Sequence, residues 1–265
     1  MVKTASETWY GFHFDKLSPE ELARAAVEKA LSYLNAKRVK TGRYPAVINN
    51  RMAIQLFSVY AGNFFAERVQ KGFSLLKDRL GDDIASKAVT LRDDGICTHS
   101  MGSVSFDSEG VATQNKILIE NGRLLQYLHN TKSAAKGNTR PTGNGFKAGY
   151  SGTIGTSVTN FYIVPSLNSN LLEELQTGVL ITELTGLHAG TNSISGEFSL
   201  SASGFWVEKG QVKHPLEQMT VAGNFYTLLK QIDNVGSDLH FDMPSSAGTV
   251  GMPSLLVRDL DFSGV

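Results

Sequence analysis

With 265 residues, 41% of them hydrophobic and 19% charged, the chain carries enough apolar material for a sizeable core and needs no staple to fold. Lys plus Arg equals Asp plus Glu at 25 each, which excludes a global field that would recruit nucleic acid or acidic lipid. A single cysteine, Cys97, excludes an internal disulfide, no apolar run approaches the ~18 residues of a membrane span, and the opening MVKTASETWYGF lacks signal-peptide patterning. A cytoplasmic protein with no membrane and no nucleic-acid partner is expected.

In chain order, Ser18-Pro19-Glu20-Glu21 sets a capping hydroxyl, a proline at the first helical position and a carboxylate three residues after the cap. With Leu22, Ala26, Ala30 and Leu34 on one face, this predicts a helix over residues 18–35. A basic connector, residues 37–43, leads to Tyr44-Pro45-Ala46-Val47-Ile48, which reads as a buried strand. The second helix bears Met52, Ile54, Leu56, Phe57, Val59 and Tyr60, apolar nearly all round, so it belongs in the core. Residues 73–80 predict a short helix closed by Gly81, and residues 87–92 (KAVTLR) a strand running into the turn Asp93-Asp94-Gly95.

From residue 113 onward strands dominate. Ile117, Leu118 and Ile119 meet Asn121-Gly122 and then Leu124, Leu125, Tyr127 and Leu128, a hairpin with a tight turn. A second hairpin has residues 198–207 as its first arm and turns at Glu208-Lys209-Gly210; Phe198, Leu200, Ala202 and Trp206 alternate with Ser199, Ser201 and Ser203, giving one apolar sheet face. Residues 137–159, rich in Gly, Ser, Thr and Asn, read as a long irregular loop, and residues 170–176 and 224–232 as two further helices. The expected class is α+β, a largely antiparallel, strongly curved sheet with helices packed on it. Residues 1–43 form a helical lead-in and connector, and residues 44–265 one domain.

The chemistry-bearing side chains are sparse. His13, His99, His129, His188, His214 and His240 are scattered, with no pair at the i, i+4 spacing of a helical zinc site. The densest ligand-capable cluster is Asp93, Asp94, Cys97 and His99, which reads first as a polar turn because structural zinc takes four Cys/His ligands. Cys97 as a nucleophile competes with the commoner inert buried thiol, and no Gly-x-Ser-x-Gly elbow is present. Gly143-Asn144-Gly145-Phe146-Lys147-Ala148 fits the dinucleotide pattern out of its strand-and-helix context; a flexible loop is the better reading, with Arg140 and Lys147 available to a peptide carboxylate. Phe57, Tyr60, Phe64 and Phe65 form a core or interface cluster rather than a ligand pocket. No catalytic, metal-binding or cofactor-binding residue is assigned.

Several stretches taken together carry a resemblance: AERVQKGFSLLKDRLGDDIAS, NKILIENGRLLQYLHN, PTGNG, GEFSLSASGFWVEKG and VAGNFYTLLKQIDNVGSDLHF, in that order. From Tyr44 onward the sequence resembles the C-terminal domain of the TldD/PmbA proteins, and is more similar to the PmbA branch, also called TldE. In the TldD branch the second helix carries His-Glu-x-x-x-His, which with a later cysteine holds the metal while the glutamate acts as base. Laid over that motif, this sequence has Phe57 for the first histidine, Ser58 for the glutamate and Gly62 for the second histidine, and no thiol follows Cys97. The resemblance therefore implies a metal-free PmbA/TldE-type subunit with no cofactor of its own, working with a metal-bearing TldD-type partner or a second copy of itself on extended, unfolded or modified peptides. The alternative is a stand-alone hydrolase using Cys97 or an Asp93, Asp94 and His99 cluster. Gyrase modulation, a role for which the family has been named, finds no support in the neutral charge balance.

Overall fold

A computed structural model describes residues 2–98, 100–245 and 248–264. Ser18 caps the first helix, α1 (Pro19–Ser32), accepting from the Glu21 amide as its signature predicts. The helix stops short of residue 35 because Tyr33 turns inward, stacking on Phe205 at 5.3 Å and bonding Thr182 at 2.7 Å, and Asn35 takes a positive φ of 60°. Strand β1 (Gly42–Ile48) delivers the chain to Asn49, whose side chain accepts from the Met52 amide and starts α2 (Asn50–Tyr60). A 3-10 turn, Ala61–Phe64, and the short α3 (Ala66–Gln70) follow.

The helix expected over residues 73–80 does not form. Side chains capture the backbone groups a helix would need: Ser74 Oγ accepts from the Leu76 amide, Tyr127 Oη donates to the Leu76 carbonyl, and Asp78 sits at φ 60°. The next strand lies later than residues 87–92. Lys87 and Ala88 turn, and β2 (Leu91–Asp94) contains both aspartates that were expected in the turn. Strands β3 (Asn115–Glu120) and β4 (Arg123–Leu124) make the predicted hairpin, with Asn121 and Gly122 at φ 46° and 89°.

An unpredicted helix, α4 (Thr131–Lys136), begins at an Asn130–Ser133 capping box. The stretch expected to be an irregular loop then contains a paired ribbon, β5 (Gly145–Lys147) and β6 (Ile154–Thr156). Beyond it come β7 (Asn160–Ile163), α5 (Leu171–Leu175), β8 (Thr177–Thr185), β9 (Glu197–Glu208), β10 (Gln211–Asn224) and α6 (Phe225–Gln231). The chain continues through β11 (Ile232–Val235), β12 (His240–Phe241), β13 (Thr249–Met252) and β14 (Leu255–Ser263). The turn between β9 and β10 is the one predicted, with Lys209 and Gly210 at φ 53° and 71°.

The class is α+β, but among the described residues the strands form two six-stranded sheets and the small ribbon, where one curved sheet was expected. In the first sheet β1 pairs with β8, β8 with β9, β9 with β10, β10 with β14, and β14 back with β1, so five strands close into a ring with β11 appended to β14. Beside a break in the β8–β9 register, a Cβ on Gly204 in β9 would lie 1.9 Å from the Leu180 carbonyl oxygen in β8. The second sheet runs β12-β13-β7-β2-β3-β4. All named pairings are antiparallel except β1 with β8 and β13 with β7.

Helix α2 packs against β8 of the first sheet and β12 and β13 of the second. Phe57, Tyr60, Phe64, Phe161 and Phe225 are fully buried around it, and burying each large side chain stabilises the fold by roughly 1.5–3 kcal/mol. Tyr60 stacks on Phe225 at 4.4 Å and donates to the Glu197 carbonyl at 3.0 Å, which locks α2 to α6. The opposite face of the ring is covered by α5, where Leu171 and Leu175 pack on Val47, Val207 and Leu256. No helix of the described residues is long and apolar enough to cross a membrane.

Candidate functional site

The exposed side of α2 repeats at helical spacing, Arg51, Gln55, Ser58 and then Gly62 in the following 3-10 turn, and this side faces the β12 and β13 end of the second sheet. Two clefts run along it. One of about 310 Å3 is lined by Ser58, Gly62, Phe65, Val158, Asp242 and Met243; the other, of about 250 Å3, by Arg51, Gln55, His240, Asp242, Met243 and the N-terminal Tyr10. Asp242 and Met243 belong to both, so the clefts are halves of one groove.

In the first half, the three positions singled out in the sequence offer a cation no imidazole, carboxylate or thiol. Phe57 turns away into the core, its ring 5.2 Å from Phe225 at 77°. The Ser58 hydroxyl donates to the Ile54 carbonyl at 2.7 Å. At Gly62 the volume a side chain would take is claimed by Arg68, whose Cδ lies 3.2 Å and Nε 3.5 Å from an ideal Cβ, while Arg68 Nη2 donates to Ser193 Oγ at 3.0 Å. A phenyl ring, a committed hydroxyl and a neighbouring guanidinium do not fit a divalent cation.

In the second half, the Tyr10 hydroxyl is 2.8 Å from His240 Nε2 and also donates to the Phe241 carbonyl, and Arg51 pairs with Glu7. Burial pushes the His240 imidazole below its ordinary value, and the Arg51 charge adds to this against Asp242, Glu7 and Asp238. Burial and the Asp242 charge raise the Tyr10 phenol, against Arg51. This half can recognise acidic and hydroxyl-bearing groups.

The other sequence candidates lie elsewhere and serve packing. Asp93 is fully buried: Oδ2 meets Lys116 Nζ at 3.1 Å and Asn144 Nδ2 at 2.8 Å, and Oδ1 accepts from the Thr159 amide at 2.6 Å. Asp94 Oδ1 accepts from the Ile96 amide at 3.0 Å and the carbonyl of half-buried Cys97 from Ser103 Oγ, while His99 lies outside the described residues. Among the described residues no three His, Cys, Asp or Glu side chains converge as a metal-holding group. The would-be dinucleotide loop runs into β5, with Asn144 buried against Asp93. Arg140 and Lys147 line different clefts, so they do not form one carboxylate site.

Sequence reading missed Lys116, Arg51, Tyr10 and His240. Strand parity signals the first, since Lys116 shares the inward face with Leu118. The other three come from distant segments with no shared motif.

Residues 41–264 match the model of the PmbA/TldA metallopeptidase C-terminal domain. The Metalloprotease PmbA of Escherichia coli O157:H7 is 30% identical over 92% of this chain and 52% of its own length, so the chain spans about half of that relative. Among solved structures, a Thermotoga maritima protein described as a candidate modulator of a DNA gyrase superposes with a TM-score of 0.86 at 40% identity, over 94% of this chain and 56% of its own. TldE from Thermococcus kodakarensis does so with a TM-score of 0.85 at 29% identity, over the same shares. The family match over residues 41–264, with relatives 30% identical over most of its length, makes this chain a member of the PmbA/TldD metallopeptidase family.

Proposed function

We propose that this chain is the metal-free member of a TldD/TldE-type peptidase system, acting in the cytoplasm beside a zinc-bearing TldD-type subunit that cuts unfolded or modified peptides. The single observation that carries the reading is the trio Phe57, Ser58 and Gly62, on α2 and the 3-10 turn after it, where that chemistry would need two imidazoles and a carboxylate. The likeness to TldE supports it. The groove along α2 then serves to hold an extended peptide, using the polar groups on its rim. A second copy of this chain is the other candidate partner.

The stand-alone hydrolase reading has less behind it. Both Asp93 oxygens are already committed to a buried cation, an amide side chain and a backbone amide. A role on DNA lacks a basic field, with 25 cationic against 25 anionic residues.

Mixing the purified chain with a TldD-type subunit and zinc, then following cleavage of an unfolded peptide, tests the proposal. A single co-eluting species with cleavage above that of the partner alone is expected. Peptide cleavage by the isolated chain, abolished by a chelator, would refute it.

A further inference from the structure

Residues 2–12 have no regular secondary structure, and among the described residues they make no backbone-to-backbone hydrogen bond to the rest of the chain. Ala5, Glu7, Trp9 and Tyr10 are half-buried while Ser6 and Thr8 are exposed. Side chains hold the segment in place. Glu7 pairs with Arg51 near the start of α2, and three residues on, Tyr10 meets His240 Nε2 and the Phe241 carbonyl, its ring 5.8 Å from the imidazole. Arg51 and His240 thus act as two recognition points along the groove.

We propose that the groove between α2 and β12 is a binding site for extended peptides that carry an acidic residue three positions ahead of a tyrosine, and that residues 7–10 are its intrachain occupant. The class of ligand rests on the peptide-handling reading above; the sequence preference rests on these contacts alone. The occupant is built to be displaced. Among the described residues it makes no backbone-to-backbone hydrogen bond to the groove, so its departure breaks side-chain contacts only. It also lines only the Arg51 half of the groove, leaving the Ser58 and Gly62 half for the continuation of an incoming peptide, which gains contacts the occupant cannot make.

The test measures fluorescence anisotropy of a labelled peptide, SETWYG followed by four alanines, with SQTWFG followed by four alanines as control. Glu7→Gln with Tyr10→Phe frees the groove at little steric cost, and the probe is expected to bind this variant about tenfold tighter than the intact chain, the factor set by one charge-assisted contact. In that background Arg51→Met, and separately His240→Gln, each weaken binding about tenfold, and the control peptide binds no better than to either. Melting curves confirm that each variant is folded, and the His240 variant keeps the test open should Arg51→Met unfold the chain. Equal affinity of intact and freed chains, or no preference over the control peptide, overturns the inference. Partner association is measured on the same samples: peptide binding lost with association retained refutes this inference alone, and the converse refutes the subunit reading alone.

Discussion

Lys116 Nζ lies 3.1 Å from Asp93 Oδ2, with the lysine side chain 3% and the aspartate 0% exposed. The ammonium also donates to the Thr142 carbonyl at 3.1 Å, and Asp93 holds Asn144 and the Thr159 amide, so one buried pair ties β2 and β3 to both ends of the β5 and β6 ribbon. Removing one partner strands the other charge in the interior. Lys116→Met is expected to cost about 3–5 kcal/mol in urea denaturation, with faster amide exchange in the ribbon. A loss below about 1 kcal/mol would show the pair to be dispensable.

Introducing a His-Glu-x-x-x-His motif should not create a metal site. In the triple variant Phe57→His, Ser58→Glu, Gly62→His, the first imidazole replaces a ring packed on Phe225, at a cost of about 3 kcal/mol. The third must displace Arg68. Equilibrium dialysis followed by elemental analysis is expected to find well under one zinc per chain; a stoichiometric ion would contradict the packing described for α2.

Stability is expected to fall on the acid side of neutrality. Burial lowers the His129 pKa from its ordinary 6.5, only partly opposed by a hydrogen bond to Ser133. The fold therefore holds the neutral imidazole while the unfolded chain takes up a proton at 6.5, so the contribution is complete above 6.5 and lost as pH falls from there through the folded value. His129→Gln should flatten this part of a plot of Tm against pH between 7 and 5. His240 and His214 are shifted in the same direction and retain their share.

At Gly204 the backbone of β9 lies against β8 with no room for a side chain. Gly204→Ala, whose methyl would meet the Leu180 carbonyl, should cost about 2–3 kcal/mol. Gly155→Ala, with nothing within 4 Å of its new carbon, should stay within about 0.5 kcal/mol, and chemical denaturation of both variants checks the contrast.

The elements most legible in the sequence were those specified locally. Ser18 and Asn121-Gly122 announce a cap and a turn through their own backbone preferences, and the apolar run of α2 declares a core helix. Residues 73–80 misled because their helical spacing is real, yet Ser74 and Tyr127 compete for the backbone from within and from far along the chain. The β5 and β6 ribbon looked irregular because its strands have three residues each and are fixed by Asp93 and Asp107, the latter accepting from the Gly145 amide. Pairing of β1 with both β8 and β14 leaves no local trace. For the candidate site, the residue types at Phe57, Ser58 and Gly62 are plain in the sequence, whereas the groove's second half required Tyr10, Arg51 and His240 to be brought together in space.

The ring also sets an order of assembly during synthesis. Strand β1 leaves the ribosome before both of its neighbours, one flank waiting for β8 and the other for β14, so unpaired backbone stays open on the nascent chain until residues 255–263 have emerged. A ring of this kind cannot be completed vectorially, and a chaperone that shields β1 while translation proceeds would act on the most adhesive intermediate this topology creates.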